Sequence, residues 1–406
     1  MHITPKTLSK EVPIWRDTSW LSMRIKPNYT GGGITNLMSS IASAVGAESP
    51  YPELSETWLS GIEESKNIVL MAVDGLGYDY LMKHGKNTVL ASSMKGLLTS
   101  VFPPSTGSAI TTFIIGLPPQ QHAVTGWYVF LKEYGIMSRI LPFTSAVDWN
   151  VLDTDIANVV NVESLFWKIE RERIVVAGKQ IVDSAFSLYT IGFSAKRIAY
   201  EGLQNFFTGL EEAISSYEKP SYIYAYWPEL DSIAHILGIE SKEAREHLQE
   251  FDDALRDFIE RIEGTDTTLI ITSDHGLHDV NPDGLILTGD HPELVDSLTL
   301  PLCGDTRSAY CYVRPSRIGR FEDYINSEFE HACTLHRSED LVSDDWFGLY
   351  EANPRLSSRV GDYTLIFNDE YAVLNSFPGQ EPPSLIGHHG GISSEEMNVP
   401  LILINC

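Results

Sequence analysis

The sequence predicts an α/β fold, in which a mostly parallel central sheet is sandwiched by helices and carries an inserted α+β cap subdomain. Short β-branched or aromatic segments alternate with amphipathic segments, which is typical of buried strands joined by crossover helices. Residues 203–214 and 248–262 carry apolar side chains at spacings of three and four, which predicts helices that cover a sheet face. The predicted strands are residues 67–73, 96–101, 174–177, 221–226, 267–272 and 399–404.

Residues 301–377 interrupt this alternation. They combine strand-like segments at 308–313 and 363–367 with one helical stripe between them. We therefore expect a core domain formed by residues 1–300 and 378–406, with residues 301–377 inserted as the cap. The Gly/Pro-rich residues 377–383 are expected to lead back into the core.

The charge balance limits the classes of partner. The 406 residues include 29 Lys and Arg against 55 Asp and Glu, which gives a formal net charge of −26. Such a surface repels nucleic-acid polymers and anionic membranes. A small phosphate ester remains compatible with it, because a buried dication reverses the local field.

Residues 1–20 contain no apolar signal-peptide region, and no segment approaches the roughly 18 apolar residues of a membrane span. These features predict a cytoplasmic protein without a membrane partner. The four cysteines lack a C-x-x-C spacing and are expected to be reduced, with a Cys303–Cys311 disulfide as the alternative.

Two motifs place oxygen atoms just after predicted strands. Asp74 follows strand 67–73 and precedes two glycines, so its carboxylate is expected to point into the crevice at the strand end. Ser105 and Thr106 follow two prolines at a predicted helix start, where the helix dipole favours an alkoxide and the phosphoryl group it attacks. The alternatives are an ordinary turn for Asp74 and an ordinary helix N-cap for the hydroxyls.

Three further motifs carry carboxylates and imidazoles. Asp231 and His235 are four residues apart, so on a helix they share one face and can hold a metal ion together. Asp274, His275 and a glycine follow strand 267–272 directly, which places an oxygen and a nitrogen ligand at one strand end. His388 and His389 lie between two glycines near the C-terminus.

These motifs occur in the order used by the alkaline phosphatase superfamily, and the chain resembles its type I phosphodiesterase/nucleotide pyrophosphatase members. The family spacing selects Thr106 over Ser105 as the nucleophile and His389 over His388 as a ligand. The resemblance implies two divalent metal ions. One would be held by Asp231, His235 and His389, and the other by Asp74, Asp274, His275 and the Thr106 oxygen.

Mixed nitrogen and oxygen ligands favour zinc for both ions, with manganese or iron as alternatives. Two dications exceed the charge of three carboxylates by about one unit, which leaves a net attraction for an anionic phosphate. The resemblance implies attack by Thr106 on phosphorus, a phosphothreonine intermediate and its hydrolysis by water.

One position departs from the family pattern. Family phosphodiesterases carry an Asn that binds a phosphate oxygen a few residues beyond the position of His122, and Trp127 stands there in this chain. Lys132 or Arg139 is a candidate replacement that would favour monoesters or phosphonates, and Trp127 is a candidate for stacking on a nucleobase. The alternatives are solvated surface charges and core packing.

The sequence thus predicts hydrolysis of small phosphodiesters or nucleotide pyrophosphates. A phosphomonoesterase or phosphonate hydrolase is the alternative within the superfamily. A catalytically inactive, metal-stabilised binding protein is the alternative from another class. The histidines and carboxylate next to the Asp-His-Gly motif are expected to lie around the site or on the surface rather than to bind metal; they are His278, Asp279 and His291.

Overall fold

A computed structural model of the protein describes residues 24–377 and 383–406. The N-terminal segment used to predict a cytoplasmic location lies outside these residues, as does most of the predicted return at 377–383, and both stay predictions. Among the described residues, no helix is long and apolar enough to cross a membrane. All four cysteines are free, so the alternative disulfide is absent.

A seven-stranded sheet forms the centre of the molecule. Its strands in chain order, here named β1 to β7, are Asn67–Val73, Met94–Thr99, Glu172–Gly178, Lys196–Tyr200, Ser221–Trp227, Thr267–Thr272 and Asn398–Asn405. Their order across the sheet is β2-β7-β6-β1-β5-β3-β4. Strand β7 runs antiparallel to both of its neighbours, and the other pairs are parallel. The predicted mostly parallel sheet is confirmed.

Both faces of this sheet are covered by helices, so β1 is buried along its whole length and is apolar after Asn67. Ile68, Leu70 and Ala72 pack into one cluster with the helix Ile34–Ala44. The alternate residues Val69 and Met71 pack into the opposite cluster. The α-helices between residues 34 and 297 are Ile34–Ala44, Tyr78–His84, Val89–Ser92, Thr106–Ile115, Pro119–His122, Leu165–Lys168, Ala185–Ile191, Leu203–Ser215, Glu229–Leu237, Lys242–Arg261 and Pro292–Ser297.

A second seven-stranded sheet is entirely antiparallel. Four of its strands come from the predicted cap range and three from an earlier segment, and the predicted cap boundaries stay a prediction. The strands in spatial order are Cys333–Arg337, Tyr363–Phe367, Ser308–Cys311, Cys303–Gly304, Tyr128–Leu131, Ile136–Arg139 and Thr144–Ser145. The remaining α-helices are Ile318–Glu328, Ser338–Ser343, Leu356–Arg359 and Ser394–Met397.

A buried ion pair joins the second sheet to the C-terminal motif. The guanidinium of Arg307 donates to both oxygens of Glu396, at 2.8 and 3.0 Å, and to three carbonyl oxygens of residues 368–371. Glu396 also accepts from the Gly391 amide at 2.7 Å. Because both charges are fully buried and hydrogen-bonded, removal of either partner would leave an uncompensated charge. This pair fixes the loop that carries His389.

His122 hydrogen-bonds to the helix Thr106–Ile115 at Thr112. Its Nδ1 accepts from the Val124 amide at 3.0 Å, so Nε2 carries the proton and donates to Thr112 Oγ1 at 3.2 Å. Burial lowers the pKa of His122 to about 3, and the nearby Arg359 guanidinium adds to the effect. The imidazole is therefore neutral in the folded protein.

This neutral imidazole makes stability depend on pH. Between pH 7 and 5 the unfolded chain takes up a proton at His122 and the folded protein does not, so the free energy of unfolding falls as pH decreases. We expect His122→Gln to reduce that fall by about 2 kcal/mol. Urea unfolding of both proteins at the two pH values measures the difference. The other buried histidines are present in both proteins, so their contributions to the pH dependence cancel. An identical pH dependence in the two proteins would contradict the assignment.

Candidate metal centre and active site

Three adjacent parallel strands bring three aspartates to one edge of the sheet. Strand β1 lies between β5 and β6, and all three strands end on the same side. Asp74 follows β1 directly, Asp274 lies two residues beyond β6, and Asp231 lies in the helix that follows β5. All three are buried. The crevice at the carboxyl ends is where ligands bind in such sheets.

Asp74 is fixed by one oxygen and presents the other. The Tyr226 hydroxyl donates a short hydrogen bond to Asp74 Oδ2. Asp74 Oδ1 has no hydrogen-bond partner and lies 3.4 Å from His275 Nε2. Gly75 turns the chain after the strand with φ 76°, in the left-handed region that favours glycine, and its missing side chain leaves room for Asp231.

Asp274 and His275 are oriented in the same way. Asp274 Oδ1 accepts from the His275 amide at 3.0 Å and from the Gly75 amide at 3.3 Å, whereas Asp274 Oδ2 has no partner. That free oxygen lies 3.4 Å from His275 Nε2. His275 Nδ1 lies 3.1 Å from the Gly276 carbonyl oxygen, so Nε2 faces the two aspartates.

A second group of side chains adjoins the first. His235 lies one turn beyond Asp231, with its Nε2 3.4 Å from Asp231 Oδ2, and its Nδ1 hydrogen-bonds the Gly387 carbonyl oxygen at 2.8 Å. The His389 ring stacks on His275 at a centroid distance of 4.0 Å and lies 5.1 Å from the ring of His235. Asp231 Oδ1 and His389 Nδ1 have no hydrogen-bond partner.

Thr106 lies at the start of the helix Thr106–Ile115, beside these groups. Its Oγ1 is 3.1 Å from His275 Nε2. The N-cap residue is Ser105, but its side chain does not cap the helix and donates instead to Asp305 Oδ1 at 2.9 Å. The positive end of the helix dipole therefore faces the aspartates at Thr106.

These residues form two sets in which the ligand atoms lie within 4.8 Å of one another. One set is Asp74, Asp274 and His275, and the other is Asp231, His275 and His389. The sequence predicts His235 rather than His275 in the second set, and the geometry places His275 between the two. Either set supplies the mixed oxygen and nitrogen donors that transition metals prefer.

The cluster is electrostatically unfavourable without cations. Burial raises the pKa of Asp74 well above its usual value, and the Asp274 and Asp231 carboxylates raise it further. Burial also raises the pKa of Asp274, against a lowering by His275. Burial lowers the pKa of His389 well below its usual value, and the neighbouring His275 adds to this. Cations between the groups would favour ionised carboxylates and neutral imidazoles.

A scan of protein families matches residues 68–392 to the type I phosphodiesterase / nucleotide pyrophosphatase family, which covers the site and most of the chain. The chain belongs to this family. The resemblance predicted from the order of the motifs is thereby confirmed, and the protein is a hydrolase of phosphate esters by class. A search of curated protein sequences finds no match.

Three solved structures share the fold of this chain. Murine ectonucleotide pyrophosphatase / phosphodiesterase 5 is similar with a TM-score of 0.64 and 16% identity, over 82% of this chain and 87% of that one. The human protein gives 0.62 and 17%, over 83% and 87%. Phosphonoacetate hydrolase from Sinorhizobium meliloti 1021 gives 0.58 and 17%, over 82% and 89%.

The three predicted substrate-binding residues of this family member lie in different places. Trp127 is partly buried, and its backbone amide donates to Asp305 Oδ2 at 3.3 Å. Lys132 is exposed just beyond the strand Tyr128–Leu131. Arg139 is buried and lines a cavity that also reaches Asp305. Of the three, Arg139 lies on a cavity wall next to the ligand cluster.

His278, Asp279 and His291, which are expected around the site or on the surface, have partners outside the two ligand sets. His278 Nδ1 makes a short contact with the Glu395 carboxylate. His291 Nδ1 bonds the Tyr324 hydroxyl at 2.8 Å. Asp279 accepts from the Ile239 and Glu240 amides at 2.7 and 3.1 Å, just after the helix that carries Asp231 and His235.

Two residues at the site were missed from the sequence. Tyr226 precedes the Asp231 motif, but only the pairing of Ala72 with Tyr226 across two strands shows that its hydroxyl reaches Asp74. Asp305 follows a two-residue strand of the second sheet and lies 4.0 Å from His389 Nδ1. No local sequence signal marks either residue, because each acts through a partner distant in the chain.

The glycine of the Asp-His-Gly motif has a steric role that a substitution tests. A Cβ at Gly276 would lie 2.0 Å from the Glu395 carbonyl oxygen and 2.8 Å from the Gly77 Cα. We expect Gly276→Ala to lower the free energy of unfolding by about 1–3 kcal/mol through this overlap. Gly319→Ala is the matched control, since nothing lies within 4 Å of its Cβ position. Equal urea-unfolding curves for the two variants would refute the close approach.

Proposed function

We propose that this protein is a two-metal-dependent phosphohydrolase that uses Thr106 as its nucleophile. The observation that carries this is a set of buried ligand atoms without hydrogen-bond partners on residues grouped around His275, whose Nε2 lies 3.1 Å from Thr106 Oγ1; they are Asp74 Oδ1, Asp274 Oδ2, Asp231 Oδ1 and His389 Nδ1. Four such atoms on neighbouring ligand residues point to an ion, because a bound cation would satisfy all of them together.

The donor set fits two divalent cations. Asp74, Asp274, His275 and Thr106 Oγ1 would hold one ion, and Asp231, His389 and His235 would hold the other, in the arrangement that the family resemblance implies. Oxygen and imidazole donors together favour zinc, with manganese or iron as alternatives. When bound, the ions would lower the pKa of hydroxyl groups at the site and neutralise developing charge on phosphate oxygens.

The chain's own residues then perform a double displacement. Thr106 Oγ1 attacks phosphorus, the bond from phosphorus to the leaving oxygen breaks, and the leaving group takes up a proton. Water next attacks the phosphothreonine, its phosphorus–oxygen bond breaks, and the Thr106 hydroxyl is restored. The helix N-terminus at Thr106 stabilises negative charge on the phosphoryl oxygens throughout.

Small phosphodiesters and nucleotide pyrophosphates are the proposed substrates, in line with the family. The murine relative has been solved as an inactive variant in complex with AMP. A phosphomonoesterase or phosphonate hydrolase is the second candidate, favoured by Trp127 in place of an Asn and by Arg139 on the cavity wall. The relative from Sinorhizobium meliloti was solved with phosphonoformate.

Substitution of the nucleophile separates an enzyme from an inactive metal-binding protein. We expect Thr106→Ala to lower kcat on nitrophenyl phosphate esters by at least about 10³-fold, because no covalent intermediate can form. Thr106→Ser should keep measurable turnover, since it retains a hydroxyl. Assays of a nitrophenyl diester beside the monoester also separate the two substrate classes. If wild-type protein that contains metal turns over neither ester, the proposed enzymatic activity is refuted.

Metal removal should act on stability as well as turnover. An ion that binds only the folded protein at 100 times its Kd adds about 2.7 kcal/mol to the free energy of unfolding. We therefore expect dialysis against a chelator to lower Tm and abolish turnover, and added Zn²⁺ to restore both. Asp74→Asn should respond more weakly to Zn²⁺ because one ligand charge is lost. A Tm that is insensitive to chelation would contradict a structural role for the ions.

A further inference from the structure

A cavity of about 220 Å³ is lined by residues of the second sheet and of the segment that follows it, among them Arg139, Asp305 and Asn375. Asp305 forms part of its wall and connects it to the site, because Asp305 Oδ1 lies 4.0 Å from His389 Nδ1 and 2.9 Å from Ser105 Oγ. Pockets for drug-sized ligands measure roughly 300–1,000 Å³, so this one suits a smaller chemical group.

Arg139 is the cation on this wall, and its charge is not neutralised by a protein partner. The residue is only 3% exposed. Among the described residues, no carboxylate oxygen lies within 4.0 Å of its guanidinium. Its Nε has no hydrogen-bond partner, and its Nη1 donates to the Ser145 carbonyl oxygen at 2.6 Å. A buried charge in this condition is costly unless a ligand compensates it.

Aromatic rings hold the guanidinium in place. Its carbon lies 3.5 Å from the centroid of the Trp149 ring and 5.5 Å from that of Tyr128. Stacking on rings leaves the planar edge of a guanidinium free for hydrogen bonding, which is the geometry that recognises carboxylate and phosphate groups. Arg139 is thus ordered before a ligand arrives.

Two other polar side chains of the wall, Asp305 and Asn375, already have partners. Asp305 accepts hydrogen bonds on both oxygens, from Ser105 Oγ and from the Trp127 amide. The Asn375 side chain pairs with the backbone of Leu302 at 2.8 and 3.1 Å. Arg139 Nε is therefore a buried donor on this wall that a ligand could satisfy.

We propose that this cavity binds a second anionic group of the substrate, a carboxylate or a phosphate carried beyond the reacting phosphorus, and that Arg139 selects for it. The inference rests on the proposed function, since it assumes that the reacting phosphoryl group lies at Thr106. It narrows the substrate class to small phosphate or phosphonate compounds with a second negative charge, as opposed to those with a neutral leaving group.

Calorimetric titration of metal-loaded protein tests the selection by ligand binding. The ligands are propylphosphonate, which lacks a second anion, phosphonoacetate, which carries a carboxylate, and methylenediphosphonate, which carries a second phosphonate. We expect wild-type protein to bind at least one of the two doubly anionic ligands at least about 10-fold more tightly than propylphosphonate, and the tighter of the two identifies the anion.

Arg139→Gln should reduce that preference to within about twofold and leave the Kd for propylphosphonate unchanged, which also shows that the variant folds. Arg320→Gln, which removes an exposed arginine that does not line the cavity, should keep the full preference. If Arg139→Gln does not fold, Arg139→Lys is tested instead. We expect its preference for the doubly anionic ligand to be about three- to tenfold weaker, because an ammonium group lacks the planar fork of a guanidinium.

Two results would overturn the inference. Wild-type protein that binds the three ligands equally, or not at all, would show that no anion site exists. A preference that survives in Arg139→Gln would assign it to another group. Turnover of nitrophenyl esters is measured on the same preparations, so a failed selection with intact turnover leaves the proposed function standing. A preserved selection without turnover refutes the function alone.

Discussion

The site is arranged around three buried carboxylates at the ends of three neighbouring parallel strands. Burial and the neighbouring Asp274 and Asp231 carboxylates raise the pKa of Asp74, and the ligand atoms of the three aspartates fall into two sets that share His275. Like charges this close cannot all ionise in a buried site without cations to balance them. The imidazoles of His275 and His389 and the hydroxyl of Thr106 would complete the donors around the two proposed ions, and the same ions would serve the chemistry.

Residues of the second sheet adjoin this cluster on one side. The Arg307–Glu396 ion pair fixes the loop of His389, and Asp305 from the same sheet accepts from Ser105 beside the nucleophile. Arg139 belongs to a more distant strand of that sheet. Residues of the core therefore supply the reacting groups, and residues of the second sheet supply the surroundings that a substrate would meet.

Most of the fold and of the candidate site could be predicted from local sequence patterns. Strand-end aspartates could be located because parallel strands end on the same side, and the helical spacing of Asp231 and His235 appears as expected. The edge strand Lys196–Tyr200 was missed because it is half exposed and begins with two charged residues. Asp305, Tyr226 and the shared position of His275 depend on contacts between distant segments, which no local pattern encodes.

Anomalous X-ray diffraction from crystals grown with zinc would locate the ions. A paired-cation centre requires two strong peaks separated by roughly 4 Å, one beside Asp74 and Asp274 and the other beside Asp231 and His389, with Thr106 Oγ1 next to the first. A single peak, or peaks away from these side chains, would contradict a paired-cation centre and remove the reason for this cluster of buried acids.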